Sequence, residues 1–511
     1  MKTFERILVP CLVALILLVF LFLNSCDKTK QVKEERGELK TAETKPEETK
    51  GAPYPPAKPS DRIPNEDVKE VPVPDGPKVG DMKPENQPLE IIEALEKKDT
   101  TGEQKEGGGW FEYQRRPLYY RDYAELTNSQ PATLLCCPEV SVAENGQTIM
   151  MTGNVWMALS EDGGATFSSI NPTTIFPQSD GGLCCDQVVL YVPRIDMFVW
   201  LMQYWTGTDG KNRIRIAAQT TAQVRSSNGT AWTYWDFPST VFSTSGALDY
   251  NDMTYGTNSL WWTTQSPSGR VVVRISLDEI AAKGTINYSY TGGTDALWSH
   301  ITHDAGNTVY WAGHVSNSEL RVYSWKEGDG FYSWRSVTVN SWPNGTNTSV
   351  CPDGTDWMTF ESWKHYVFGN TVRRGNVWFS WLASAGGGFP NPHVQMVRIN
   401  TSTWNKEEQV QIWNPDFAFL DAYLSMNSDG ELGMDIAFGG GPYYPSNAVG
   451  VWGDFVVYYP RLSTRATGRW GNYNTCRRSG SDGRQWVAGG YTMDTDASGD
   501  IMLPHYIRFS R

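Results

Sequence analysis

The sequence predicts an all-β fold, a seven-bladed propeller of four-stranded antiparallel blades, on three observations. Composition changes sharply near residue 109 of the 511, and nearly all of the 22 Trp, 24 Tyr and 19 Phe follow it, among many glycines and few long helical patterns. A turn followed by an apolar strand then recurs seven times. One of those repeats spells out four short strands in succession.

The N-terminal elements come first. Residues 1–25 carry Lys2 and Arg6, then an apolar run from Ile7 to Leu23, and lead into Leu23-Asn24-Ser25-Cys26. A charged start, an apolar middle and small residues before a cysteine form an export signal. The four residues resemble the lipobox of bacterial lipoproteins. That resemblance implies that Cys26 is acylated, becomes the new N-terminus and holds the chain to a lipid membrane. An uncleaved membrane anchor is the alternative, since the run nearly reaches the length of a spanning helix. In both cases the rest of the chain is expected outside the cytoplasm, in the periplasm or on the cell surface.

Residues 26–108 are Lys, Glu, Pro, Thr and Gly with almost no aromatics, as in Lys45-Pro46-Glu47-Glu48 and Pro53-Tyr54-Pro55-Pro56. Such a stretch buries too little apolar surface to offset its ordering entropy, so a disordered tether is expected. The net charge of −13, with no basic cluster against it, excludes nucleic acid as a partner. Glycine patterns that cradle phosphates are missing, no cofactor is expected, and a monomer is.

Residues 109–511 form the propeller. The repeated turn and strand are read at Asn145-Gly146 before Thr148–Met151, at Ile195-Asp196 before Met197–Leu201, and at Asn258 before Leu260–Trp262. They return at Gly306-Asn307 before Val309–Trp311 and at Gly375-Asn376 before Val377–Phe379. The last two are Asp429-Gly430 before Leu432–Met434 and Asp482-Gly483 before Trp486–Ala488. The spacing of roughly 50 to 70 residues suits blades with decorated loops. In the second repeat the four strands are Val188–Tyr191, Phe198–Tyr204, Arg213–Ala218 and Trp232–Phe237. A β-sandwich array is the alternative, because periodicity does not fix how strands close.

At Ser160-Glu161-Asp162-Gly163-Gly164-Ala165-Thr166-Phe167 the chain matches the Asp-box pattern at every specified position: Ser160, Asp162, Gly164, Thr166 and Phe167. A shortened echo is Ser226-Ser227-Asn228-Gly229-Thr230-Ala231-Trp232. In this the chain resembles the sialidase-like (BNR, Asp-box) propeller superfamily, and also bacterial secreted propeller lipoproteins. The resemblance implies the fold, with the box between third and fourth strands and away from the active face. It does not imply sialic-acid chemistry. The Arg-Ile-Pro motif, arginine triad and Tyr-Glu pair of sialidases have no counterpart, the nearest strings being Arg115-Arg116-Pro117 and Pro193-Arg194-Ile195.

The innermost strand of each blade should start on the ligand face, where loops between second and third strands also open. The blade starts are polar: Glu139, Asp186-Gln187, Asp249 to Asp252, His300, Asp421 and Tyr473-Asn474. Asp186, Asp252 and Asp421, with His300 or Tyr473, could supply acid and base groups for glycoside cleavage. Glu139, Gln187 and Asn474 would bind ligand beside them. The bland reading is that these side chains line a channel and satisfy backbone groups. The Gly-aromatic loops Ala385–His393 and Gly439–Pro445 fall on the same face, so His393, Tyr443 and Tyr444 could stack on or bond to sugars, or merely pack between blades. His300 and His303 are three apart, which in a strand puts them on opposite faces and argues against a metal site.

Of the cysteines, Cys136, Cys137, Cys184, Cys185, Cys351 and Cys476 remain after the signal and Cys26. In an oxidising compartment an even number suggests disulfides. The two adjacent pairs could cross-link blades one and two, bridge internally, or form a four-thiolate metal site; Cys351 and Cys476 would pair or both stay free. The function expected is carbohydrate-directed: a glycoside hydrolase or polysaccharide lyase of the cell surface or periplasm. The alternative is a non-catalytic surface module binding glycan or protein.

Overall fold

The computed structural model describes residues 139–510 apart from 243–245, 363, 455, 469, 472–473 and 497–498. It also describes the backbones of four earlier strands, Glu35–Ala42, Arg62–Pro64, Glu90–Glu93 and Tyr119–Glu125. The signal segment, Cys26, Cys136, Cys137 and Tyr473 lie outside the described residues, as does most of 26–108.

Seven blades surround an axis, each a meander in which consecutive strands pair. Blade 2 is Val188–Val192, Met197–Gln203, Arg213–Thr220 and Thr233–Pro238, matching the four strands read from the sequence to within a few residues. All seven repeated apolar runs are second strands, from Thr148–Gly153 in blade 1 to Trp486–Asp496 in blade 7. Their legibility has a packing cause. Blades stack face to face, so Thr148–Gly153, Met197–Gln203, Ser259–Ser266 and Leu432–Gly440 are buried at every residue, and their apolar stretches, such as Leu260–Trp262, show no inside–outside alternation. The large plugs between blades include Trp200, Trp261, Trp262, Trp311 and Trp325, each with under 2 % of its surface exposed and each contributing about 1.5–3 kcal/mol by burial.

The ring closes by strand exchange between its ends. Tyr119–Glu125 pairs antiparallel with Gly499–Ser510 and supplies the outermost strand of blade 7, whose other strands are Thr475–Arg478 and Trp486–Asp496. Across the seam Thr475 Oγ1 donates to Val140 O at 2.9 Å. Blade 4 departs from the pattern: its innermost strand shrinks to one bridge, Ile301 to Trp311. Left-handed residues at Trp298 (φ 58°) and Asp304 (φ 56°) bracket that bridge and prevent a longer ladder. Within the stretch expected to be a tether, Glu35–Ala42, Arg62–Pro64 and Glu90–Glu93 pair with the outer strands of blades 3, 1 and 6.

Innermost strands begin at one face of the ring, here the entry face, and end at the other, the exit face. Because strands alternate in direction, loops between second and third strands also open on the entry face. Hairpins between third and fourth strands lie at the exit face. The turn Glu161–Ala165 is one of these, joining Trp156–Ser160 to Thr166–Ile170. Asp162 accepts Thr166 N at 2.8 Å and Thr166 Oγ1 at 2.6 Å, and Ser160 Oγ accepts Gly164 N at 2.8 Å. The carboxylate fastens a tight turn, and Phe167 plugs the blade beneath it.

Candidate active site

The polarity of the blade starts has a backbone cause. Glu139, Asp186, Tyr250, Trp298 and Asp421 all have left-handed φ, between 47° and 58°: Glu139, Asp186 and Trp298 two or three residues ahead of the first pair of their strands, Tyr250 and Asp421 in the bulges between Asp249 and Asp252 and between Leu420 and Tyr423. Asp tolerates that conformation better than most residues. The carboxylates then tie one blade to the next. Glu139 Oε2 accepts Asp186 N at 3.1 Å, Asp186 Oδ2 accepts Tyr250 N at 2.8 Å, and Asp252 Oδ2 accepts Ile301 N at 3.2 Å. For Glu139 and Asp186 this is the bland role: both are buried in a relay around the ring. Gln187 is likewise structural, accepting Trp200 Nε1 at 2.8 Å and donating to Gly153 O.

Asp252 and His300 stand at the axis, with His303 and Arg477. His303 Nε2 is 3.6 Å and His300 Nδ1 4.0 Å from the Asp252 carboxylate, and Arg477 Nη2 is 3.9 Å from it. The two histidines thus reach one carboxylate, against the expectation of opposite faces, because the backbone that carries them is not a regular strand. Burial works against the Asp252 anion, but His300, His303 and Arg477 outweigh it and hold its pKa below the ordinary range. Burial also pushes His300 down to about 3, so its ring is neutral at neutral pH and Arg477 supplies the standing charge. A group held firmly ionised and enclosed is a poor proton donor.

Different chemistry sits one step around the axis. Glu361 and Lys364, on the connection 339–366 that crosses the entry face, act electrostatically on Asp421, and Glu361 and Asp421 on Tyr423. Lys364 Nζ bonds Glu361 Oε1 at 2.8 Å. Burial raises the pKa of Glu361, and Lys364 opposes it. Burial and the neighbouring Glu361 charge push Asp421 well above the carboxylate range, again against Lys364. Both carboxyls of this enclosed site are thus raised, Asp421 the more strongly because the Glu361 charge adds to its burial, and Glu361 less because Lys364 bonds it. Glu361 Oε2, Asp421 Oδ1 and the Tyr423 hydroxyl make no hydrogen bond among the described residues. Next to them Tyr250 lies 5.1 Å from the His300 ring, and the partly exposed Trp298 and Tyr366 stack at 5.9 Å and 26°.

Asp186, Asp252, His300, Asp421 and Asn474 are all buried. The twenty-eight residues 339–366 lie over the entrance, with Trp357 and Met358 packed against Val140, Val142, Leu420, Ala437 and Trp470. Gly439-Gly440-Gly441 seats this strap: Ser349 Oγ bonds Gly439 O at 3.2 Å, Gly441 N donates to Val350 O at 2.9 Å, and any Cβ on Gly440 would collide with Ser349. Those glycines serve close approach, not a flexible sugar platform. Tyr443 packs inside blade 6 on Phe417 and Phe438, at 5.2 and 5.7 Å, and Tyr444 leans on the core under the strap. His393 is fully buried, stacked 4.0 Å from Phe389 and bonded to Gln395. Asn474 donates to Asp435 at 3.4 Å.

Glu361 and Lys364 were missed because they belong to no repeat. The available signal was length: a connection of this size between blades is uncommon unless it has a task. Cys184 and Cys185 form a vicinal disulfide on the entry side of blade 2, whereas Cys351 and Cys476 are free and buried in separate core clusters, so they do not pair.

No protein-family model matches the chain, and no curated protein matches it. Solved structures with detectable likeness include an α-L-arabinofuranosidase from Fusarium graminearum in complex with an iminosugar inhibitor, at 10% identity over 73% of this chain and 93% of that one, with a TM-score of 0.33. A putative exo-β-1,3-galactanase from Bifidobacterium bifidum gives 10% identity over 54% of this chain and 90% of that one, TM-score 0.28. Prolyl endopeptidases give 12% identity over 58% of this chain, TM-score 0.30, and the match spans only 38% of their length. Structural neighbours of this seven-bladed propeller thus include glycoside hydrolases.

Proposed function

We propose that the chain is a carbohydrate-acting enzyme that cleaves a glycosidic bond at the Glu361 and Asp421 carboxyls, with Asp421 as proton donor and Glu361 as the anionic partner. The observation that carries this reading is an enclosed carboxyl pair in which Lys364 bonds Glu361 at 2.8 Å and Asp421 is the more strongly raised of the two. A protonated acid and a carboxylate in the same site are the groups glycoside hydrolysis requires. The stacked rings of Trp298 and Tyr366 would receive the apolar face of a sugar. The complete Asp box supports kinship with sialidase-type propellers. The N-terminal signal supports display from a membrane through acylated Cys26, at the cell surface or in the periplasm.

A non-catalytic glycan-binding or protein-binding module is the second reading, favoured by one observation: Glu361 is 0 % and Asp421 4 % exposed, so substrate must displace part of the strap. Screening the chain on a glycan array, followed by product analysis on each ligand found, separates the two. Shortened sugars support the hydrolase, and an unsaturated product end would mark a lyase. Binding with the glycan recovered intact supports the module.

A further inference from the structure

The exit face carries a second polar site, independent of the proposed cleavage. Where the innermost strands end lies a small polar cavity lined by Arg477, Arg478, His303, Tyr255 and Tyr191, with Glu144 and Asp304. Both acids are occupied by other donors. Glu144 accepts Gly146 N at 2.6 Å, Ser479 Oγ at 2.6 Å and Gly480 N at 3.2 Å. Asp304 Oδ2 accepts Met426 N at 2.8 Å, Ser425 Oγ at 3.0 Å and Thr371 Oγ1 at 3.1 Å.

The two guanidiniums are matched loosely by comparison. Arg477 comes no nearer to Asp252 than 3.9 Å and Arg478 no nearer to Asp304 than 3.7 Å. Arg477 spends Nη1 on Met253 O at 3.2 Å and on the His303 ring at 3.3 Å. Arg477 Nε and His303 Nδ1 are buried and make no hydrogen bond among the described residues. In a chain of net charge −13, paired arginines with donors to spare at one cavity require an explanation.

We propose that this cavity binds a small oxyanion, a carboxylate or phosphate group, on Arg477 and Arg478. The planar guanidinium presents forked N–H donors that fit such groups, and the low-dielectric wall strengthens each bond. Tyr255, hydrogen-bonded to Arg478, fixes that side chain at the rim. Because neither arginine takes part in the cleavage proposed for Glu361 and Asp421, loss of glycan cleavage would leave this proposal standing, and the reverse.

The test titrates the full-length chain with inorganic phosphate and, separately, with acetate, against chloride at matched ionic strength. Saturable binding of either anion is expected, and which of the two binds identifies the group. Arg477→Gln and Arg478→Gln should each weaken it at least tenfold, while Arg374→Gln, in a different groove, leaves it unchanged. Should the glutamine variants fail to fold, the wild-type protein still decides: the His303 ring resonances, among only six histidines, must shift along the same saturation curve. No saturable response beyond chloride, unchanged affinity in folded variants, or an unmoved His303 ring would each overturn the proposal.

Discussion

Asp186 offers the sharpest structural prediction, because its two contributions can be removed separately. The residue holds a left-handed φ of 47° and its carboxylate accepts the buried Tyr250 N–H at 2.8 Å, joining blade 2 to blade 3. Alanine keeps a Cβ in that conformation, at roughly 1–2 kcal/mol. It also deletes the acceptor, worth about 1–3 kcal/mol in full. The lower end applies, since Asp249 Oδ1 stands 3.0 Å from the same N–H. Asp186→Ala should therefore destabilise by about 2–3 kcal/mol. Glycine relieves the backbone but lacks the acceptor, and should fall near 1–2 kcal/mol. Asparagine tolerates the conformation and retains an oxygen, so about 1 kcal/mol or less is expected. Urea denaturation of the three variants under one condition gives the order. Asparagine as damaging as alanine, or alanine within about 0.5 kcal/mol of wild type, would refute the relay.

Three further outcomes are expected. The raised pKa of Asp421 means that the folded chain retains a proton that the unfolded chain releases near the ordinary Asp value of about 4. Stability should therefore fall as pH rises above that value, and Asp421→Asn should flatten the decline in urea midpoints; parallel curves would contradict the assignment. Asp162→Ala breaks the two Thr166 bonds and should lower stability by about 1–3 kcal/mol without altering any sugar release; lost release at unchanged stability would place the box in the site. Alkylation of chain unfolded without reductant should label Cys351 and Cys476 but neither Cys184 nor Cys185. In the native chain labelling should be slow, since burial pushes Cys351 up to about 12 and Cys476 well above its usual range; a labelled Cys184 would contradict the vicinal bond.

The propeller was legible because its signals are local and repeated. A second strand buried on both faces, such as Met197–Gln203, announces itself as an apolar run after a turn, and seven such runs count the blades. Blade 4 was legible in its second strand but not in its first, where Trp298 and Asp304 interrupt the ladder. The site was half legible. Asp421 and Asp252 were picked out as polar residues at blade starts, yet polarity there could not be told from the backbone duty that Glu139 and Asp186 perform. Glu361 and Lys364 were invisible for the opposite reason, lying in a unique strap outside any period. Tyr443 and His393 looked like platform residues because loop composition carries no information about whether a ring turns outward or into its own blade.

The central claim is that Glu361 and Asp421 break a glycosidic bond, and initial rates of sugar release from the best-binding glycan test it most directly, with affinity measured in parallel for wild type, Glu361→Gln and Asp421→Asn. Loss of an acid or base group predicts release slowed by about 10²- to 10⁴-fold in both variants, with binding changed only a few-fold. Release that continues at the wild-type rate in either variant, or a glycan that returns intact from the wild-type chain, would contradict the claim.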